Sequence, residues 1–447
     1  MRLHRVLALL AVLAPLSASA GDLVDLFPGL VQQAALGFTP IVTIDGTTFQ
    51  ADPGQFVVGT FDATGSVDNL SSQIQGQFQR FPVGSTVAAF TFQFDPELNV
   101  FTRSTEGLGP LLSERAQTTG KGKINMAFAY SRVEFDVFEG DELDEVEVGY
   151  VGNPVTVSPS GGGVNFNGGN SFIGFDDSLP LSLSQPINFV NGGDNDIQGA
   201  GVFGSHPGAW ATGSVSVPSL RTFLDAEMDV DVFALFMNYG VTDWLDVGAV
   251  VPFLNIDASG RVTTIGAVDQ GTGQPLTVST FRERDNSFGI GDVILRGKAS
   301  IFESDLVDTA VRADLTLPTG DEDELRGYGD PSFGGTVILS KTFGIVSPHA
   351  NGGLHFRTDD PDQHAARWAA GLDVQPVDFL TFTGDLIGEH LLDRDEEIGK
   401  DVLAASAGLK VNPWRRLVLA GNVVFRLNDD GLRADWIPSA TIEYTFP

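Results

Sequence analysis

The clearest pattern along this chain is a strict two-residue alternation of apolar and polar side chains. In residues 238–253, NYGVTDWLDVGAVVPF, the second half places Leu245, Val247, Ala249, Val251 and Phe253 against Asp246, Gly248, Val250 and Pro252. Successive side chains of a strand point to opposite faces, so the apolar set forms one surface. The same alternation returns to the end of the chain. Leu417, Leu419, Val423 and Phe425 oppose Arg416, Asn422 and Arg426, and Ala440, Ile442, Tyr444 and Phe446 oppose Ser439, Thr441 and Glu443. The pattern predicts about twelve strands, near 121–137, 226–239, 244–256, 287–301, 306–318, 331–343, 345–357, 365–375, 378–391, 401–411, 415–427 and 432–446, each long enough for a tilted membrane crossing. In the fourth strand the parity slips around Gly289 and Gly291, which predicts a bulge.

The connections sort by parity. After even-numbered strands come GVTDW, FESDLV, KTFG, QPV and NPW, all short. After odd-numbered strands come 138–225, 257–286, TGDEDELRGYGD, DDPDQHA, DRDEEIGKD and NDDG, polar and mostly acidic. A soluble sandwich has no reason to alternate this way. A barrel of the bacterial outer membrane does, with long loops outside, tight turns in the periplasm, an even strand number and both termini inside. Trp244 and Trp414 flank short turns, and Trp368 and Trp436 open strands that follow long loops. With Phe253, Tyr444 and Phe446 they form a candidate aromatic girdle. The fold class expected is therefore all-β, a transmembrane antiparallel up-and-down β-barrel of about 12 strands.

Composition narrows the setting. Residues 1–20 carry Arg2 and Arg5, an apolar centre and Ala18-Ser19-Ala20, the pattern of a cleaved secretory signal. Its removal takes the formal charge from −32 to −34. Such acidity argues against nucleic acid as a partner and against basic anchoring on anionic lipid. With no cysteine there is neither a disulfide nor a thiolate metal site. Residues 21–120 are too polar for a membrane element. They contain a candidate amphipathic helix (LVDLFPGLVQQAAL), another turn or two in NLSSQIQGQF, and a hairpin over 90–104 with Asp95-Pro96 in its turn, and they read as a luminal plug or a periplasmic cap. The barrel then occupies 121–447, with 138–225 as a long extracellular loop.

Alternation also nominates the lumen. Arg312, Asp314, His349, Asn351, His355 and Arg367 share the polar face of their strands, as do Asp373, Asp385, Glu389, Arg416, Asn422 and Arg426. Groups of both signs can pair across a narrow interior or set the selectivity of a pore. The favoured reading is a mostly plugged lumen with structural pairing and a narrow path for a small solute. No His lies in an H-x-S arrangement, so an outer-membrane hydrolase is the weakest functional class, and the chain is expected not to be an enzyme. Asp321, Asp323, Asp393 and Asp395 are weak calcium candidates in acidic loops without calcium-loop spacing. No metal and no cofactor is otherwise implied.

The stretches YGVTDWLDVGAVVPF, FGIGDVILRGKA and LPTGDEDELRGYGDPSFGGTVILSKTFG, followed by HANGGLHF, resemble the outer-membrane barrels grouped as the meta-pathway of phenol degradation family, over roughly 226–446. The segment ahead of the first strand is similar in arrangement to long-chain fatty-acid channels, which have more strands. The resemblance implies passage of small, often apolar, molecules across the outer membrane. Outer-membrane lipid and lipopolysaccharide, a small apolar solute and the barrel-assembly machinery are the partners expected. Phe446 is followed by Pro447, a departure from the terminal Phe that this machinery reads. The alternative class is a non-conducting surface or adhesion protein. A closed barrel should be heat-modifiable: without boiling it should migrate as a compact band in detergent gels, and identical migration before and after boiling would count against closure.

Overall fold

The computed structural model describes residues 23–27, 29–30, 41–44, 47–50, 92–95, 100–103, 108, 112–138, 141–143, 146–151, 156–160, 163–167, 172–173, 220–265, 278–392, 400–414 and 416–446. Residues 1–20, the segment NLSSQIQGQF, and Asp393 and Asp395 lie outside that set.

Twelve antiparallel strands close into a ring. They are β1 (Ile124–Phe135), β2 (Leu220–Gly240), β3 (Leu245–Ile265), β4 (Val278–Ile290 and Val293–Phe302), β5 (Asp308–Leu317), β6 (Ser332–Ser340), β7 (Val346–Arg357), β8 (Ala365–Val377), β9 (Leu380–Leu391), β10 (Asp401–Trp414), β11 (Leu417–Arg426) and β12 (Trp436–Phe446). Each strand pairs with its sequence neighbours, and β1 pairs with β12 from Ile124↔Phe446 to Ser131↔Ser439. In β4 the register passes from Phe253↔Ile290 to Val250↔Ile294, so four steps on β4 meet three on β3. That extra residue is the bulge at Gly291-Asp292. It moves the inward set from Gly289 and Ser287 to Ile294, Arg296 and Lys298.

The outward face is apolar. Phe128, Phe333, Val337, Leu354, Phe382, Leu386, Leu409 and Ile442 are all exposed on it. Trp244, Trp368, Trp414 and Trp436 are 55%, 44%, 69% and 54% exposed, and Phe253, Tyr444 and Phe446 share the outward face. Tryptophans this accessible pack against something other than protein. A closed ring leaves no backbone group unpaired, which lipid requires, and the apolar belt supplies the matching surface. Among the described residues no helix is long and apolar enough to cross a membrane. The protein crosses with strands and resides in a bacterial outer membrane.

Three strands depart from the expected lengths. Residues 257–286 were expected to form a loop, yet β3 continues to Ile265 and β4 begins at Val278. Within the expected loop 138–225, β2 begins at Leu220, and short strands occupy Val146–Val151, Thr156–Ser160 and Gly163–Asn167. The reason is an inversion of face at the membrane surface. Below Phe233 and Phe253 the outward residues are Leu235, Met237, Tyr239, Val251 and Val247. Above them the outward residues are Asp231, Asp229, Glu227, Asn255 and Asp257, while Val230, Met228, Leu224, Ile256, Ala258 and Val262 turn inward and are buried. A search for one apolar face along each strand therefore ends at Phe253. The inward apolar set forms a core with Leu23, Leu26, Phe27 and Leu30 of the N-terminal helical segment, together with Leu325, Leu432 and Ala434.

Two short hairpins of the N-terminal region are among the described residues, and in the first Ile41–Ile44 pairs with Thr47–Gln50. Phe92–Asp95 pairs with Val100–Arg103, so the expected hairpin forms, with Asp95 inside the strand rather than in the turn. Gly240 is required for a close approach: a Cβ there would strike the carbonyl of Gly120, where the chain enters β1.

Two experiments test this architecture. Cysteine at Glu324, in the β5–β6 loop, should react with an impermeant maleimide on intact cells, whereas cysteine at Asp305, in the β4–β5 turn, should not; the reverse pattern would invert the barrel. Ala440→Arg puts a charge on the lipid face of β12, at a cost of about 2–4 kcal/mol near the bilayer midplane. Thr441→Arg puts the same charge in the lumen. Ala440→Arg should lower the yield of assembled barrel far more, and equal yields would mean that the exposed belt does not meet lipid.

Candidate functional site: the lumen and its chamber

Residues 112–120 form a strap inside the barrel, and wall side chains from seven strands hold this strap and Leu108. Thr119 donates from its backbone N–H and its hydroxyl to Asp246 Oδ2 on β3, at 2.7 and 3.0 Å. Lys298 Nζ on β4 donates to the carbonyls of Arg115 and Gln117, at 3.4 and 2.7 Å. Gln117 Nε2 donates to Asp308 on β5 at 2.9 Å, and the Ala116 N–H to Ser340 Oγ on β6 at 2.9 Å. Asn351 on β7, with its amide oriented to satisfy both partners, meets the Glu114 carbonyl and N–H at 3.0 and 2.6 Å. Ser113 Oγ donates to Asp385 Oδ1 on β9 at 2.5 Å. Lys410 Nζ on β10 donates to the Leu108 carbonyl at 3.1 Å.

Glu114 is the centre of this arrangement. It is 1% exposed and faces Arg312 Nη1 at 3.3 Å, Lys298 Nζ at 3.8 Å and Arg296 Nη1 at 3.9 Å. Arg296 and Arg312 also share Asp314, at 3.0 and 2.9 Å. Around the ring, His349 Nε2 meets Asp385 Oδ1 at 2.8 Å, and its Nδ1 lies 3.8 Å from Asp373. Gly371 makes room for that contact, since a Cβ there would collide with His349 and Asp385.

Arg312, Asp314, His349, Asn351, His355, Arg367, Asp373, Asp385, Glu389, Asn422 and Arg426 all have the inward parity of their strands. Arg416 is the exception. It precedes β11 rather than lying within it, and its carbonyl accepts from Thr445 N of β12 at 3.2 Å. Glu114, Arg115, Arg296, Lys298, Lys410 and Glu443 were not nominated. For Arg296 and Lys298 the signal is the bulge: once parity shifts at Gly291, both fall on the lumen face; for Lys410 and Glu443 it is the plain alternation of their strands. Two inward cations on one strand then call for an acid from elsewhere.

A chamber of about 270 Å³ lies above the strap. Leu112 forms part of its floor, and the inward-folded Leu432, Arg433 and Ala434 of the β11–β12 loop form part of its outer side. One wall is apolar, with Val133, Phe135, Val424 and Ile437. Away from it the lining presents Arg296, Arg312, Asp314, Arg367 and Glu389, while Arg426 follows Val424 on β11, on the apolar side. Arg367 pairs with Glu389 at 2.5 Å, and Arg426 with Asp435 at 2.7 Å and with Asp429.

Chemistry of other kinds finds little here. His355 Nε2 lies 3.1 Å from Ser332 Oγ, but Ser332 is fully buried inside the barrel, away from the lipid face that a hydrolase of membrane lipids would use. Asp321 is engaged by Arg326 at 3.1 Å, and the carbonyl of Asp323 accepts from Val24 N. Among the described residues no group of three or more His, Asp or Glu side chains is arranged to hold a metal ion. In the outer loops the Asp330 carboxyl is held above the usual carboxylate range, first by its hydrogen bond with Asp359 and then by burial and by that neighbour's charge.

The class follows from the closed ring and the apolar belt: this is an outer-membrane β-barrel. Over residues 209–385 it matches the family described as "Putative MetA-pathway of phenol degradation". Among solved structures it is similar to an outer-membrane channel from Pseudomonas putida F1, at 10% identity over 74% of this chain and 98% of that one, with a TM-score of 0.40. A FadL homologue from Pseudomonas aeruginosa matches at 11% identity over 73% and 90%, TM-score 0.30. The toluene transporter TodX of P. putida matches at 8% identity over 72% and 89%, TM-score 0.29. No curated protein matches the chain.

Removing Glu114 tests the strap. Glu114→Ala leaves Arg296, Arg312 and Lys298 facing one another without the shared carboxylate. Breaking a buried pair in this way costs about 3–5 kcal/mol. The variant should unfold at lower denaturant and conduct ions more readily in planar bilayers. Unchanged conductance and stability would mean that the strap is held by other contacts.

Proposed function

We propose that the protein is a channel for passive uptake of small hydrophobic or aromatic compounds across the outer membrane. The observation that carries this reading is the chamber in the lumen between strap and outer loop, with Val133, Phe135, Val424 and Ile437 forming an apolar part of its lining. A barrel serving only as a surface scaffold needs no such space, because inward side chains can fill a narrow lumen completely. The family match supports the same reading. Outer-membrane lipid and lipopolysaccharide surround the belt, and the barrel-assembly machinery inserts it.

A second reading has an observation in its favour. The strap fills the lower lumen and is fixed by charged groups, as it would be in a non-conducting structural barrel. Proteoliposome influx separates the two. Liposomes holding the purified protein should take up a single-ring solute such as benzyl alcohol faster than empty liposomes, and a deletion strain should grow more slowly on aromatic carbon sources at limiting concentration. Influx equal to that of empty liposomes, with unimpaired growth, would leave the structural barrel as the better account.

A further inference from the structure

Among the described residues two imidazoles face the lumen, His349 and His355, both on β7. His349 is 5% exposed and stands between two carboxylates. Its Nε2 lies 2.8 Å from Asp385 Oδ1, and its Nδ1 lies 3.3 Å from the Ser347 carbonyl and 3.8 Å from Asp373 Oδ2. Carbonyls and ionised carboxylates only accept hydrogen bonds. A neutral imidazole has a single N–H, so it can serve one of these sides and not the other. The imidazolium donates from both nitrogens and serves both. With the two acids ionised, the arrangement is complete when His349 carries its second proton and lacks a donor when it does not.

The same place holds the strap. Asp385 Oδ1, the acceptor for His349, also accepts from Ser113 Oγ. Across the β6–β7 ladder His349 stands opposite Ser340, whose hydroxyl accepts the Ala116 N–H. Across the β7–β8 ladder its partner is Gly371, which leaves the gap that the imidazole and Asp385 occupy. The imidazole thus sits between two anchors of the strap. Asp373 on β8 and Asp385 on β9 are the charges acting on it, and Lys410 on β10 and Arg115 of the strap act on Asp373. Beyond Ser340 come Asp308 on β5 and Lys341, which pair with each other at 3.0 Å.

Histidine is the side chain whose charge changes near neutral pH. Loss of the proton leaves Asp373 and Asp385, 3% and 4% exposed, without the cation that lies against both. Buried charge without a partner is costly, and the cost falls when water reaches it. Withdrawal of Ser113 from Asp385 opens a route for that water. We propose that His349 is a proton-operated latch on the strap. Protonated, it holds Asp373 and Asp385 together beside Ser113 and Ala116. Deprotonated, it releases this side of the strap and widens the path through the barrel. The latch concerns the strap alone and is independent of the solute that the barrel carries.

Planar-bilayer conductance of the intact barrel tests the latch. From about pH 5.5 to about pH 8.5 it should rise severalfold along a single-proton curve. His349→Gln keeps a donor toward Asp385 but cannot be charged, so its conductance should stay at the high, alkaline level at every pH. Asp373→Asn leaves one carboxylate instead of two beside the imidazole and should flatten the rise. His355→Gln, on the same strand and hydrogen-bonded to Ser332, should keep the rise. Heat-modifiability verifies that each variant is assembled, and if His349→Gln fails to assemble, Asp373→Asn decides. Conductance of the unaltered barrel that is flat with pH would overturn the latch. So would a rise that survives in His349→Gln, a His349→Gln barrel fixed at the low, acidic level, or an assembled Asp373→Asn barrel with an undiminished rise. Benzyl alcohol influx without a pH step in conductance sinks the latch and leaves the channel. A pH step without influx sinks the channel and leaves the latch.

Discussion

Pairing of β1 with β12 is the constraint from which the rest of the structure follows. It joins Ile124 to Phe446 and Ser131 to Ser439, so the first and last strands of the ring protect each other's backbone groups. In hydrocarbon no water can take the place of that partner. Once the ring is closed, every strand has one face toward lipid and one toward a lumen narrow enough for side chains to meet across it. Apolar residues outside and charged residues inside are then a consequence of geometry, reversing the usual order of a soluble protein.

The narrow lumen creates a second problem, which the strap solves. Asp246, Lys298, Arg296, Arg312, Asp385 and Lys410 point into a space with little water. Charges withdrawn from water are tolerable only when paired and hydrogen-bonded. The wall pairs some of them internally, as with Arg367 and Glu389. Others find the backbone and side chains of residues 112–120. Glu114 alone faces three cations on two strands. Strap and wall are therefore complementary in a way that neither part shows by itself.

Much of this could be read from the chain. The strand pattern and the parity of loop lengths located all twelve strands, because period-2 alternation is a local property. The inward face could be read for the same reason, including His349, Asp385 and Asn422. Three features could not be read this way. The strap depends on contacts separated by up to hundreds of residues, such as Ser113 with Asp385, and no periodicity reports them. Arg296 and Lys298 fall on the lumen face only because the bulge at Gly291 shifts the parity of β4. The extensions of β2, β3 and β4 were hidden because the meaning of the two faces changes at Phe233 and Phe253 while the alternation itself continues.

That change of meaning has a consequence for how the chain reaches its final position. Above the aromatic residues, β2 and β3 carry Asp225, Glu227, Asp229, Asp231, Asp257 and Arg261 on their outer surface. These charges end on the far side of the bilayer from the compartment in which an outer-membrane barrel begins to assemble. The acidic outer ends of β2 and β3, at the open end of their hairpin, must therefore cross the hydrocarbon before the two strands can come to rest. Their buried face, formed by Leu224, Met228, Ile256 and Val262, gives those ends an apolar interior that can fold on arrival. Refolding of the outer core would then act as a ratchet, making insertion a one-way event and fixing the depth of the barrel by the step from Phe to Asp along a single strand.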